Sequence, residues 1–115
     1  MSDQETLRVI QEFNRAWSDH DLDSALSMLT DDCVFENTGP APDGVAVRGR
    51  EEIGAAWKEI FDNPRSVFEA EETFAAGDRA VQRWRYSWGD GHVRGVDVMR
   101  VRDGKVAEKF SYVKG

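Results

Sequence analysis

The sequence predicts an α+β fold in which a strongly bent antiparallel sheet packs on three N-terminal helices. Two observations carry that reading. Apolar residues recur at helical spacing up to Asn63-Pro64 and at a period of two afterwards. Beyond Pro64, turn chemistry at Ala76-Gly77-Asp78-Arg79, Gly89-Asp90-Gly91 and Asp103-Gly104 divides the chain into four stretches of strand length, which read as a meander.

The elements follow in order. Ser2-Asp3-Gln4-Glu5 has the form of a capping box, and Leu7, Ile10, Phe13 and Trp17 continue it as a helix over about 3–18. Asp21 can cap a second helix with an apolar face of Leu22, Ala25, Leu26 and Leu29, ending at Asp31-Asp32. Cys33 to Glu36 reads as a short strand, and Asn37 to Arg48, rich in Gly, Pro and Asp, as a surface loop long enough to act as a lid. Ile53, Ala56, Trp57, Ile60 and Phe61 mark a third helix, which Asn63-Pro64 stops. The four strands are expected over Val67 to Phe74, Ala80 to Trp88, His92 to Arg102 and Lys105 to Lys114. A sheet wrapped around helices leaves a cavity between the layers.

At 115 residues, 40% hydrophobic and 32% charged, the chain is expected to form one domain over 1–115 with a core that needs no disulfide. Its net charge of −7 and the lack of a Lys/Arg cluster disfavour nucleic acid as a partner. Cys33 is the single cysteine and His20 and His92 the only histidines, so neither a disulfide framework nor a metal site is expected. The acidic start and the absence of an 18-residue apolar run point to a soluble, cytoplasmic protein with no membrane partner. Four Trp in so short a chain call for an explanation.

Strand alternation supplies the candidate site. Asp97 shares its strand face with Gly95 and Met99, where a carboxylate is costly unless paired, hydrogen-bonded or protonated. Its neighbour across the last hairpin depends on the turn. A two-residue Asp103-Gly104 loop sets Asp97 opposite Phe110, whereas a three-residue loop with a Gly104 bulge sets it opposite Lys109. Trp84, Tyr86 and Trp88 alternate along one face, which either lines the cavity, the reading favoured for Trp84 and Tyr86, or forms an interface. Phe13 and Trp17, and likewise Trp57 and Phe61, lie one helical turn apart. Asn37 stands at the mouth between strand and loop. Arg83 and Arg85 are expected to pair with Glu69, Glu71 or Glu72 as a solvated ladder.

The run Ala16-Trp17-Ser18-Asp19-His20-Asp21-Leu22-Asp23, its continuation Leu29-Thr30-Asp31-Asp32-Cys33-Val34-Phe35-Glu36, the Val47-Arg48-Gly49-Arg50-Glu51 segment and Gly95 to Val106 resemble the NTF2-like superfamily, in particular its SnoaL-like and ketosteroid-isomerase-like branch. The resemblance covers nearly the whole chain and implies a cone of curved sheet capped by three helices. The fold does not settle the function. Ketosteroid isomerases use a Tyr on the first helix, an Asp base after the first strand and a protonated acid on the penultimate strand. Those positions correspond to Phe13, Asn37 and Asp97, so only the last keeps its chemistry. The last-strand acid of other members falls on Ser111. The family pattern turns Lys109, Ser111 and Val113 inward, which favours the bulged hairpin and an Asp97–Lys109 pair, with Asp97 as carboxylate base or anchor.

The resemblance implies a cofactor-independent isomerase, cyclase or hydrolase acting on a small hydrophobic molecule. Asp97 would be its catalytic residue, and Phe13, Trp17, Asn37, Trp57, Trp84, Tyr86, Met99, Lys109 and Ser111 would hold the substrate. The alternative is a non-catalytic binder of a small apolar ligand, and a third reading makes the chain an interaction module. The resemblance further implies a homodimer through the outer sheet face, with Phe110 and Tyr112 at its interface.

Overall fold

The computed structural model describes residues 2–115, so Met1 of the expected domain lies outside the described residues. The capping box forms: Glu5 N donates to Ser2 Oγ (3.1 Å) and Ser2 N to Glu5 Oε1 (3.4 Å), starting α1 at Asp3–Ser18. Its inner stripe buries Ile10, Phe13 and Ala16. Asp21 caps α2, Leu22–Ser27, by accepting from Ser24 N at 3.1 Å.

Here the structure departs from the expected boundary. Leu29 does not close α2; it opens β1, Leu29–Glu36, where it pairs with Val106 and is fully buried. Leu22 and Leu29 are seven residues apart, a spacing that a continued helix would share, and pairing with the last strand decides the matter. The loop after β1 ends in β2, Ala46–Arg48, a short edge strand antiparallel to β1. α3 spans Gly49–Asp62 and buries Ile53, Trp57 and Phe61.

The remaining strands are β3 (Val67–Ala76), β4 (Arg79–Ser87), β5 (His92–Arg102) and β6 (Lys105–Val113). The sheet has six strands in the order β2-β1-β6-β5-β4-β3, so the predicted four-strand meander extends at the β6 edge. The β1–β6 pair is parallel, so the sheet is not antiparallel throughout. Bulges in β1 and between Ala70 and Glu72 of β3 break the ladders, a feature that bends strands.

The helices pack against the inner sheet face around Ile10, Phe13, Leu29, Ile53, Trp57, Met99, Val101 and Val106. Each such side chain contributes roughly 1.5–3 kcal/mol when fully buried. Cys33 belongs to this core, and burial pushes its thiol up to about 12, so it is a small apolar filler and not a nucleophile. On the outer face Arg83 meets Glu72 at 3.2 Å and Arg94 meets Glu71 at 2.5 Å, both solvent-facing pairs that contribute little to stability. Arg85 stands opposite Glu69 in the ladder. No helix among the described residues is long and apolar enough to cross a membrane.

Candidate functional site

A cavity of about 230 Å³ opens between α1, the end of α3 and the inner sheet face. This is slightly below the roughly 300–1,000 Å³ of common small-ligand pockets, so it suits a compact molecule. Its walls are aromatic: Phe13 and Trp17 from α1, Phe35 from β1, Phe68 from β3, and Trp84, Tyr86 and Trp88 following one another along β4 and just past it. Asn37 and Thr38 line it from the loop after β1. The cavity position of Trp84 depends on Gly95 opposite it. A Cβ at Gly95 would lie 2.5 Å from the Trp84 ring and 2.3 Å from the Tyr112 carbonyl, so only glycine lets the indole lie against β5.

One polar band crosses these apolar walls. Thr73, Gln82, Asp97 and Ser111 stand directly opposite one another on four successive strands, β3 to β6. Gln82 Oε1 accepts from Thr73 Oγ1 (2.8 Å) and Asn14 Nδ2 (2.7 Å), and its amide donates back to Asn14 Oδ1 (3.0 Å). Asp97 Oδ1 accepts from Ser111 Oγ at 2.6 Å. Ser111 Oγ in turn accepts from Lys109 Nζ at 3.1 Å. Lys109 Nζ also lies 3.2 Å from Asp97 Oδ2, an ion pair whose angles are not those of a hydrogen bond, so that oxygen has no donor.

Both charges are deep: the side chain of Asp97 is 1% exposed and that of Lys109 10%. The rings of Phe35, Trp17 and Trp57 surround the ammonium at 5.0, 5.3 and 5.9 Å, within cation–π range. Aromatic faces and a carboxylate together replace the water that a buried ammonium loses.

The Asp97–Lys109 contact arises by a route that neither hairpin reading contained. The turn is the two-residue type, with Asp103 at φ 53° and Gly104 at φ 77° and Arg102 paired to Lys105. A bulge at Ala107, between the Val101–Val106 and Arg100–Glu108 pairs, then shifts the register by one. Asp97 therefore faces Ser111, Lys109 faces Met99, and lysine and aspartate meet diagonally.

Two expected contact residues lie elsewhere. Met99 is fully buried in the core beneath the pocket, and Trp57, 1% exposed, packs behind Trp17 and supports the wall without lining it. Asn37 turns its side-chain oxygen to its own loop, accepting from Thr38 N at 2.8 Å. The indole N–H groups of Trp17, Trp57 and Trp84 are buried without acceptors. Asn14 and Gln82 were not singled out from the sequence. Gln82 shares the parity of Trp84 and Tyr86, which was the available signal, whereas Asn14 lies on the edge of the α1 stripe and carried none.

A model of the SnoaL-like domain matches residues 10–109. The chain belongs to the SnoaL-like family. This SnoaL-like domain is similar, over 98% of its length and 93% of the other chain, to an NTF2-like protein of unknown function from Mesorhizobium loti, at 44% identity and a TM-score of 0.90. It is also similar to Rv0760c from Mycobacterium tuberculosis, whose structure holds estradiol-17β-hemisuccinate (28% identity, 96% and 94% covered, TM-score 0.80). A computationally designed 17-OHP binder matches at 25% identity with 99% and 93% covered and a TM-score of 0.82. No curated protein matches. The fold is thus the NTF2-like cone expected of the SnoaL-like branch.

Proposed function

We propose that this SnoaL-like domain binds a small hydrophobic molecule bearing a polar group, in the cavity between α1, α3 and the inner sheet face. The observation that carries the reading is an aromatic-walled cavity crossed by one polar band and containing one compensated ion pair. The Rv0760c complex and the designed binder, both at least 25% identical and similar along their length, support it. Ligand binding ranks ahead of acid–base catalysis because Asp97, the expected catalytic residue, is 1% exposed and faced by two groups of its own chain. Phe13 and Asn37 stand in the cavity wall without a proton to exchange near neutral pH.

The second reading, cofactor-independent isomerisation, cyclisation or hydration, draws on the Lys109–Ser111–Asp97 hydrogen-bond chain, which could move a proton. Estradiol and naphthalene-based probes are expected to raise the melting temperature in proportion to ln(1 + [L]/Kd). Unchanged melting across such a panel, with no probe displaced from the protein by another, removes the pocket reading.

We infer further that the outer sheet face joins a second copy. Phe74 and Tyr112 are 53% and 55% exposed there, and Phe110 is half-buried. The arginines and glutamates of β3, β4 and β5 pair with one another on this face, so it carries no large excess of one sign to repel a second copy. Sedimentation should find a dimer that Tyr112→Asp converts to monomer with the same melting temperature at low concentration. A monomeric parent chain disproves this.

A further inference from the structure

We propose that Asp97 is an internal counter-ion that sets the charge selectivity of the cavity: by neutralising Lys109 it makes the pocket take an uncharged ligand whose oxygen acceptor meets the Lys109 ammonium. The proposal rests on the pocket reading above. Among the described residues lining the cavity, Asp97 and Lys109 are the only charged ones, so the interior sums to zero.

The ammonium has three hydrogens. Ser111 Oγ accepts one, while Asp97 Oδ2 at 3.2 Å supplies charge without hydrogen-bond geometry and the surrounding rings supply only their π faces. At least one donor is therefore left for a ligand. The carboxylate offers nothing comparable, since Ser111 occupies Oδ1 and Oδ2 is shut from the cavity.

Asp97 therefore acts on a ligand through its field, at short range and in a low-dielectric site. An incoming anion meets that field as well as the attraction of Lys109, and a cation meets Lys109 first. A neutral carbonyl or ether oxygen gains a charge-assisted hydrogen bond at no such cost. Removing the charge of Asp97 leaves Lys109 uncompensated and makes the cavity an anion site. Asn at position 97 still offers an oxygen to the Ser111 hydroxyl, so the charge changes with little change of shape.

Three naphthalenes of nearly equal shape test this: 2-acetylnaphthalene, 2-naphthoate and the hydrocarbon 2-isopropenylnaphthalene, with Kd measured by calorimetry. The ketone should bind the parent protein about tenfold tighter than the hydrocarbon, with naphthoate weakest. In Asp97→Asn, naphthoate should become the tightest of the three. An unchanged order in Asp97→Asn, or a parent protein that prefers naphthoate, overturns the counter-ion assignment. Equal affinity for all three also overturns it but leaves the pocket reading intact, whereas no binding of any probe removes both. If Asp97→Asn does not fold, the charge-free Asp97→Asn/Lys109→Met protein decides the question. There the ketone's advantage should vanish without a gain for naphthoate, and an order like the parent's overturns the proposal.

Discussion

Lys109→Met should lower the unfolding free energy by about 3–5 kcal/mol, the range for breaking a buried ion pair at one partner. The loss comes less from the missing attraction than from what remains. Asp97, 1% exposed, keeps one hydrogen bond from Ser111 and loses the cation that lies beside it among the described residues. Methionine matches most of the lysine stem, so the aromatic cage of Phe35, Trp17 and Trp57 stays filled and a packing defect does not explain the result. Adding Asp97→Asn to Lys109→Met should recover most of the loss, because a neutral amide is far less costly to bury than an unpaired carboxylate. Urea unfolding of the two single variants and the double variant gives the coupling energy. Additive losses in the double variant would mean that lysine and aspartate act independently and that the pair is incidental.

Trp57→Ala should cost about 3–5 kcal/mol, equivalent to a drop in melting temperature of roughly 10 °C or more. Trp57 is 1% exposed and its ring meets those of Phe13, Trp17, Phe35 and Phe61 at 6.0, 4.9, 5.4 and 6.2 Å. Removing it empties the centre of an aromatic cluster that links both main helices to β1 and strips one face from the Lys109 cage. The void is apolar and should remain dry. Free indole should then raise the melting temperature of Trp57→Ala more than that of the parent protein. A loss below about 1 kcal/mol, the scale of a surface substitution, would mean that the cluster collapses around the void.

These expectations depend on details that the sequence revealed unevenly. Helix periodicity located α1 and α3, because a 3.6-residue apolar repeat bounded by Ser2-Glu5 and by Asn63-Pro64 leaves little freedom. Turn residues likewise located β3 to β6 to within about two residues. Leu29 was misplaced because its local spacing fits a helix, and its burial against Val106 lies 77 residues away in sequence. The edge strand β2 escaped notice for a similar reason: three residues carry no period, and only pairing with β1 makes them a strand.

By itself, the sequence determined the α+β class, the common strand face of Trp84 and Tyr86, and the isolation of one carboxylate, Asp97, among apolar or small neighbours on its strand face. Each follows from patterns spanning a few residues, where backbone geometry alone decides which residues share a side; that the Trp84 and Tyr86 side faces the cavity came from the tertiary structure. Only the tertiary structure decided that Trp57 and Met99 support the pocket from behind, that Asn14 and Gln82 join its polar band, and that Asp97 meets Ser111 across the strands and Lys109 on the diagonal. The physical reason is the bulge at Ala107. A single unpaired residue shifts every partner beyond it by one, and whether a strand takes such a bulge depends on packing across the whole sheet.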